Sequence, residues 1–478
     1  MTKFKLLILF LLLLSNISFG QNCTCEKDFR WVKKTFEEND AGFQYTLEIK
    51  GKQAYETHSK LFLQKVKNIK QSEECTKLLY EWLTFFRAGH IGIRKVEKSN
   101  LTTPIKQNKP NSNWEIINTP SNEFENYLNN KKEADYEGIW EAEPYKIGIK
   151  KVGQLYVGFI IETTAENWKQ GEVKFKFDDK KGTYFLRDKS AENFTVIKAV
   201  GKNYLQLGRF LLNRLYPKYE TAKSITTFIK SISTEKPYSE EINSTTLLLR
   251  IPSFDGSQKK DIDSVILANK SKILKTENLI IDLRNNGGGS DESYKEIIPF
   301  IYTNPIREVG VEMLSTKLNN QRMLDFINKP EWGFDEERKK TAKTSYDTLE
   351  KHLGSFVNLN NTKISIQKLD TVYPFPKNVG IIIHKGNGST TEQFLLAAKQ
   401  SKKVKLFGTT TFGALDISNM NFVKSPCNEF ELGYCLSKSF RIPNMAIDSK
   451  GIQPDYFLED EIEEYNWVDY VTKILDQK

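Results

Sequence analysis

Ser389 stands where two readings of one motif meet. In HKGNGSTTEQFLLAAK (384–399) an apolar run ends near His384, Gly386 and Gly388 make a turn, and Ser389 opens a helix with Thr390 and Thr391 in its first turn. Ser389 and Glu392 have the Ser-x-x-Glu spacing of a capping box, in which the hydroxyl only satisfies a helix N–H. The same position puts a hydroxyl at the positive end of a helix with the Thr390 amide free to face an oxyanion, as a serine nucleophile requires. Both readings stand on this stretch alone. A second stretch, LIIDLRNNGGGSDES (279–293), sets Gly287, Gly288 and Gly289 between an apolar run and a further helix. Three glycines suit a flexible turn, or the close approach of an anion or a reacting carbonyl to the backbone.

A serine nucleophile needs a base, and the chain has only four histidines. His58 in ETHSK and His352 in KHLGS read as surface residues. His384, at the end of an apolar strand near Ser389, is either a core histidine or a base. His90 follows Gly89 at a helix-to-strand joint in FFRAGHIGI, an exposed place where function is expected.

The elements that must position these residues fall into blocks. From 26 to 93 apolar residues recur at three and four, as in Phe29, Val32 and Phe36 and again in Leu78, Leu79, Trp82, Leu83 and Phe86, which predicts helices ending at the His90 joint. The polar stretch 98–113 reads as a linker. Between 114 and 237 the period moves towards two: IGIKKVGQLYVGFII, EVKFKFD and GTYFLRD read as antiparallel strands, with a helical tail at LQLGRFLLNRLYP (205–217). From 240 onward strands and helices alternate (TTLLLRI, KKDIDSVILANKSKILK, NLIIDLR, SDESYKEIIPFIY, NVGIIIH, TTEQFLLAAKQS, VKLFG), the signature of an α/β layer. A Lys/Glu-rich, partly helical insertion at 305–372 interrupts it and is expected to cap a cleft. The expected domains are therefore a leader at 1–20, an N-terminal helical domain at 21–97, a β-rich domain at 98–237 and an α/β core at 238–478.

The leader is MTKFKLLILFLLLLSNISFG: Lys3 and Lys5, an apolar run from Leu6 to Leu14, then small residues up to Gly20. It reads as a secretory signal peptide, so the protein is expected to be periplasmic or secreted, with no integral membrane segment in the mature chain. Acylation of Cys23 as a lipoprotein is the lesser alternative, because Gln21 and Asn22 are not small. In an oxidising compartment Cys23, Cys25, Cys75, Cys427 and Cys435 are disulfide candidates with one left over; Cys427 with Cys435, and Cys23 or Cys25 with Cys75, are within conceivable reach. The cysteines do not form a zinc pattern, and no metal or cofactor is expected. The formal charge of +9, or +7 without Lys3 and Lys5, is spread among acidic residues, which argues against a nucleic-acid partner.

Taken in order, FFRAGHIGI, LLLRIPSF, LIIDLRNNGGG, GNGSTTEQF, VKLFGTTTFGALD and DSKGIQPDYF resemble the tail-specific, or C-terminal-processing, serine peptidases. The resemblance implies a ClpP/crotonase-like α/β catalytic core, here preceded by the helical and antiparallel β-rich domains. It makes Ser389 the nucleophile. The lysine that one branch carries 25 residues further on is replaced by Ala414, so the resemblance points to the tricorn-like branch. There His90 is the base, and Asp448, standing where that branch has a glutamate, is the acid that holds the imidazole; Gly89 replaces a helper serine. Backbone N–H groups of Gly287 or Gly288 and of Thr390 would form the oxyanion hole. The implied partner is a peptide or unfolded protein. The chain has no Gly-Leu-Gly-Phe-like carboxylate-binding loop of a PDZ domain. A catalytically inactive peptide-binding protein on the same fold is the alternative. A phosphate or acyl-CoA site at the glycine turn is a third, opposed by the leader and by the lack of a P-loop or G-x-G-x-x-G.

Overall fold

The computed structural model describes residues 23–96, 114–458 and 461–477; the expected leader at 1–20 and the linker at 98–113 lie outside them. The chain forms two compact units. One comprises the described residues of Met1–Lys98 together with Lys236–Phe457, the other those of Ser99–Glu235 with Leu458–Lys478.

The first unit is built on a six-stranded sheet in the order Tyr238–Glu241, Thr246–Arg250, Asn278–Asp282, Asn378–Ile383, Val404–Gly408, Tyr456–Phe457. The first pair is antiparallel and the others are parallel. Every residue of Thr246–Arg250 and Asn278–Asp282 is buried, as expected of strands whose two faces are both covered. The core between sheet and helices includes Phe254, Tyr294 and Phe394, whose rings meet at 5.4 to 5.8 Å. Parallel strands bring the loops after Asp282, Ile383 and Gly408 to one edge, the carboxyl edge at which open α/β sheets bind ligands.

A second sheet in this unit is antiparallel. Its centre is a hairpin of Ile417–Lys424 and Phe430–Ser439, and the longer strand also pairs with Gly92–Lys95 and Val311–Leu314. The insertion at 305–372 begins with Ile306–Val309, paired with Ile364–Gln367 as a separate two-stranded sheet, adds Val311–Leu314 to this one and continues as helices Lys317–Asn328 and Glu336–Glu350. The expected N-terminal helices form at Cys25–Asn39, Phe43–Lys50, Lys52–Val66 and Ser72–Leu83. They are not a separate domain: Phe29, Phe36, Trp82 and Phe86 share one core with Phe430, Leu432, Tyr434 and Leu436 of the hairpin. A buried ion pair reinforces that junction, with Arg87 Nη1 2.8 Å from Asp40 Oδ1.

The second unit is a nine-stranded antiparallel sheet. The helical tail expected at 205–217 is instead a hairpin of Tyr204–Leu207 and Phe210–Tyr216, turned at Gly208, where φ is 58°. Leu205, Leu207 and Leu212 are buried in the sheet's core, so the period of two prevails over the helical spacing. The chain's last helix, Trp467–Asp476, lies in this unit rather than in the α/β core, and Tyr465 just before it packs with Ile225 and Phe228.

Two bonds tie the first unit: Cys25 to Cys75 and Cys23 to Cys427. The Cys427–Cys435 pairing considered from sequence does not form. Cys427 stands in the hairpin turn, whereas Cys435 lies fully buried along the strand as a free thiol. Among the described residues no helix is long and apolar enough to cross a membrane.

Candidate active site

Ser389 is the N-cap of helix Thr390–Ala398, yet its side chain makes no capping hydrogen bond. Its backbone is at φ 57°, ψ −127°, a conformation that a non-glycine residue rarely adopts and that costs of order 1–3 kcal/mol. The expected capping box is therefore not formed, and the half-buried hydroxyl has no hydrogen-bond partner among the described residues. Glu392, the other half of that box, turns away. Fully buried, it accepts hydrogen bonds from Thr411 Oγ1, from Gly413 N at 2.8 Å and from Ala414 N at 2.8 Å.

The glycine turn is held by two buried asparagines. Asn286 Oδ1 accepts from Phe254 N, Gly288 N and Thr391 Oγ1, and Asn286 Nδ2 donates to the Ile251 carbonyl. Asn387 Nδ2 donates to the carbonyls of Leu283 and Asn286, joining the glycine turn to the serine turn. Gly288, at φ 105°, lies so close to the serine turn that a Cβ there would stand 2.8 Å from Ser389 Cβ and 2.9 Å from Thr390 N. The third glycine of the run is as constrained: a Cβ on Gly289 would stand 2.3 Å from the Phe254 carbonyl oxygen. Close backbone approach thus requires glycine at 288 and 289, whereas a Cβ on Gly287 would meet nothing nearer than the Gly386 carbonyl oxygen at 4.0 Å. The Gly288 amide donates to Asn286 at 3.1 Å and is not available to a ligand. Among the described residues the amides of Gly287 and Thr390 have no partner, and Gly287 is exposed. These two amides remain as candidate oxyanion donors, with Gly288 supplying the space.

His90 is brought in by the helical segment, at φ 54°, directly before strand Gly92–Lys95. Its Nδ1 is 2.7 Å from the Ile417 carbonyl oxygen. A carbonyl only accepts, so Nδ1 carries the proton and Nε2 keeps its lone pair, the tautomer of a general base. Burial lowers the pKa below the usual imidazole value, outweighing the opposing effects of the Ile417 carbonyl and the nearby Asp448 charge. Asp448 differs from its expected role. Its carboxylate accepts from the amides of Leu415 at 2.6 Å, Asp416 at 2.6 Å and Ile417 at 3.1 Å, and no hydrogen bond joins it to the ring. It therefore fixes the backbone whose carbonyl orients His90. Burial pushes its own pKa up.

The segment Phe412–Ala414 lies between the two halves. The Ser389 amide donates to the Ala414 carbonyl at 2.9 Å, and a Cβ on Gly89 would stand 2.7 Å from Ala414 Cβ and from Phe412 Cε1. That crowding explains why the residue before His90 is glycine rather than a helper serine. Among the described residues no hydrogen bond links the Ser389 hydroxyl to the His90 ring. His384 Nδ1 accepts from Gly386 N at 3.1 Å and so helps to fold the turn. His58, read as a surface residue, is half-buried, with ring contacts to Phe62 and Phe85 at 4.6 and 4.7 Å; His352 is exposed as expected.

A model of peptidase family S41 matches residues 245–458. No curated protein matches the chain. Among solved structures, mature CPAF is similar over 95% of this chain and 96% of its own, at 12% identity and a TM-score of 0.51. Mature CPAF complexed with lactacystin is similar over 95% and 98%, at 13% identity and a TM-score of 0.51. The photosystem II D1 C-terminal processing protease aligns over 92% and 94%, at 10% identity and a TM-score of 0.37. At such identities the two CPAF structures speak for the fold alone, whereas the match of residues 245–458 to a model of peptidase family S41 supports a serine peptidase.

Proposed function

We propose that the protein hydrolyses peptide bonds of exported or envelope polypeptides through an acyl-enzyme, on a ClpP/crotonase-like core. Ser389 Oγ attacks the scissile carbonyl while His90 Nε2 takes the hydroxyl proton. The oxyanion of the tetrahedral intermediate is held by the Gly287 and Thr390 amides; the C–N bond then breaks and the leaving amine receives the proton from His90. Water, deprotonated by the same imidazole, hydrolyses the ester and restores the serine. Asp448 acts through the 415–417 backbone as a positioning residue.

The observation that carries this reading is the released hydroxyl of Ser389, held at a strained φ while its expected capping partner Glu392 is used elsewhere. Strain of this kind persists where surrounding structure enforces it, and it gathers at active sites. A fluorophosphonate probe is expected to label the protein at Ser389 and to leave Ser389→Ala unlabelled; a folded protein that resists the probe would sink the proposal. A second reading, peptide capture without turnover, is favoured by the missing Ser389–His90 hydrogen bond. It predicts that Ser389→Ala binds peptides as the wild type does and that neither cleaves them.

A further inference from the structure

Phe412 is a large aromatic residue that remains 46% exposed at the site. Exposure of a single ring says little by itself, since apolar atoms make up much of any protein surface. Its place and its support are what distinguish it. A Cβ on Gly89, the neighbour of the base, would meet the ring at 2.7 Å, and one on Gly388, the neighbour of the nucleophile, would stand 3.8 Å from its Cβ and Cδ1. The residue thus lies against the positions flanking both His90 and Ser389, and at Gly89 the room for it exists because the side chain is a hydrogen atom.

The segment bearing the ring is fixed residue by residue. The Thr411 amide donates to the Ile452 carbonyl at 3.1 Å and the Phe412 amide to the Asn387 carbonyl at 2.8 Å. The amides of Gly413 and Ala414 donate to the two carboxylate oxygens of Glu392, each at 2.8 Å. The backbone that carries the ring is thus held in place, and the ring's remaining exposed surface is available to something that enters the site. An aromatic face held rigidly in advance gives contact area without an ordering penalty, the property expected of a recognition surface.

We propose that Phe412 is a specificity-determining residue: an apolar side chain of the substrate, next to the scissile bond, packs on its ring, and the enzyme prefers peptides that carry one there. The inference rests on Ser389 being the nucleophile. It concerns which peptides are cut, whereas the preceding proposal concerns whether and how they are cut.

The test compares kcat/KM for matched peptide pairs differing at a residue flanking the scissile bond, leucine against serine, on the wild type, Phe412→Ala and Phe412→Leu. Fluorophosphonate labelling of Ser389 is followed in parallel. Because the readout is a ratio on one enzyme, a general loss of activity through a disturbed His90 cancels. The wild type is expected to favour the leucine peptide by at least about tenfold, in line with the worth of apolar contacts in a specificity pocket. Phe412→Ala should bring the ratio close to unity, and Phe412→Leu should keep most of it. An unchanged ratio in a labelled Phe412→Ala, or a wild type preferring serine or a charged residue at both flanking positions, overturns this inference alone. Failure of the wild type to label overturns the hydrolytic reading and this one with it. Should Phe412→Ala not fold, the wild-type preference and Phe412→Leu decide.

Discussion

His90 offers the sharpest residue-scale test because its two nitrogens are chemically distinct. With Nδ1 committed to the Ile417 carbonyl, Nε2 is the nitrogen left to accept a proton, and on the proposed mechanism His90→Ala is expected to lower turnover by at least about a hundredfold, the usual worth of a positioned acid–base group. His384→Ala, which removes a turn contact, should chiefly lower stability; a folded but inactive His384→Ala beside an active His90→Ala would reverse the assignment. The pH profile carries the sign. A base must be neutral to act, and burial lowers the His90 pKa, so protonation sets in at lower pH than for a free imidazole. The acid limb of kcat/KM should accordingly have its midpoint below the ordinary value of 6.5, and a limb at or above it would contradict this environment. The places of Ser389 at a helix opening and of His90 at a glycine-flanked joint were both legible in the sequence. The Ile417 carbonyl was not. Every residue carries one, and only the fold selects which carbonyl meets the ring.

At the scale of elements, Glu392 joins the helix that Ser389 opens to the 411–414 segment. Its two oxygens serve three donors, and an amide in its place would set an NH2 against one of the backbone N–H groups. Glu392→Gln is expected to cost about 1–3 kcal/mol, the penalty of a buried unsatisfied group, and to lower kcat because the Ser389 amide rests on Ala414. Denaturant unfolding would check the first and steady-state kinetics the second. Unchanged unfolding would mean that the segment is supported some other way. The alternation after residue 240 did announce the parallel strands, whose apolar runs leave little ambiguity. The hairpin at 204–216 was harder to read, because LQLGRFLLNRLYP satisfies helical and strand spacing at once. What decides between them is Gly208 at positive φ, a turn whose strand partners are known only after folding.

For the whole molecule, the consequential features are the cysteines and the unit that they tie. After unfolding without reductant one thiol, Cys435, should react with an alkylating probe, and all five should react after reduction; three thiols before reduction would mean that one of the two bonds is absent. Reduction should lower the melting temperature, since each bond restricts the unfolded chain by an amount worth roughly 2–4 kcal/mol. The sequence supplied the candidates, and the Cys25–Cys75 pairing was among those within reach. The partner of Cys23 was not, because 404 residues separate it from Cys427 and only the packing of the N-terminal helices on the hairpin closes that distance. This second bond also bears on what happens if a foreign protease nicks the chain within 99–235. The piece carrying His90 and the piece carrying Ser389 would stay covalently joined through Cys23 and Cys427. Such a clipped molecule should migrate as one band on a non-reducing gel, keep His90 and Ser389 in one covalent assembly, and separate into two only with reductant.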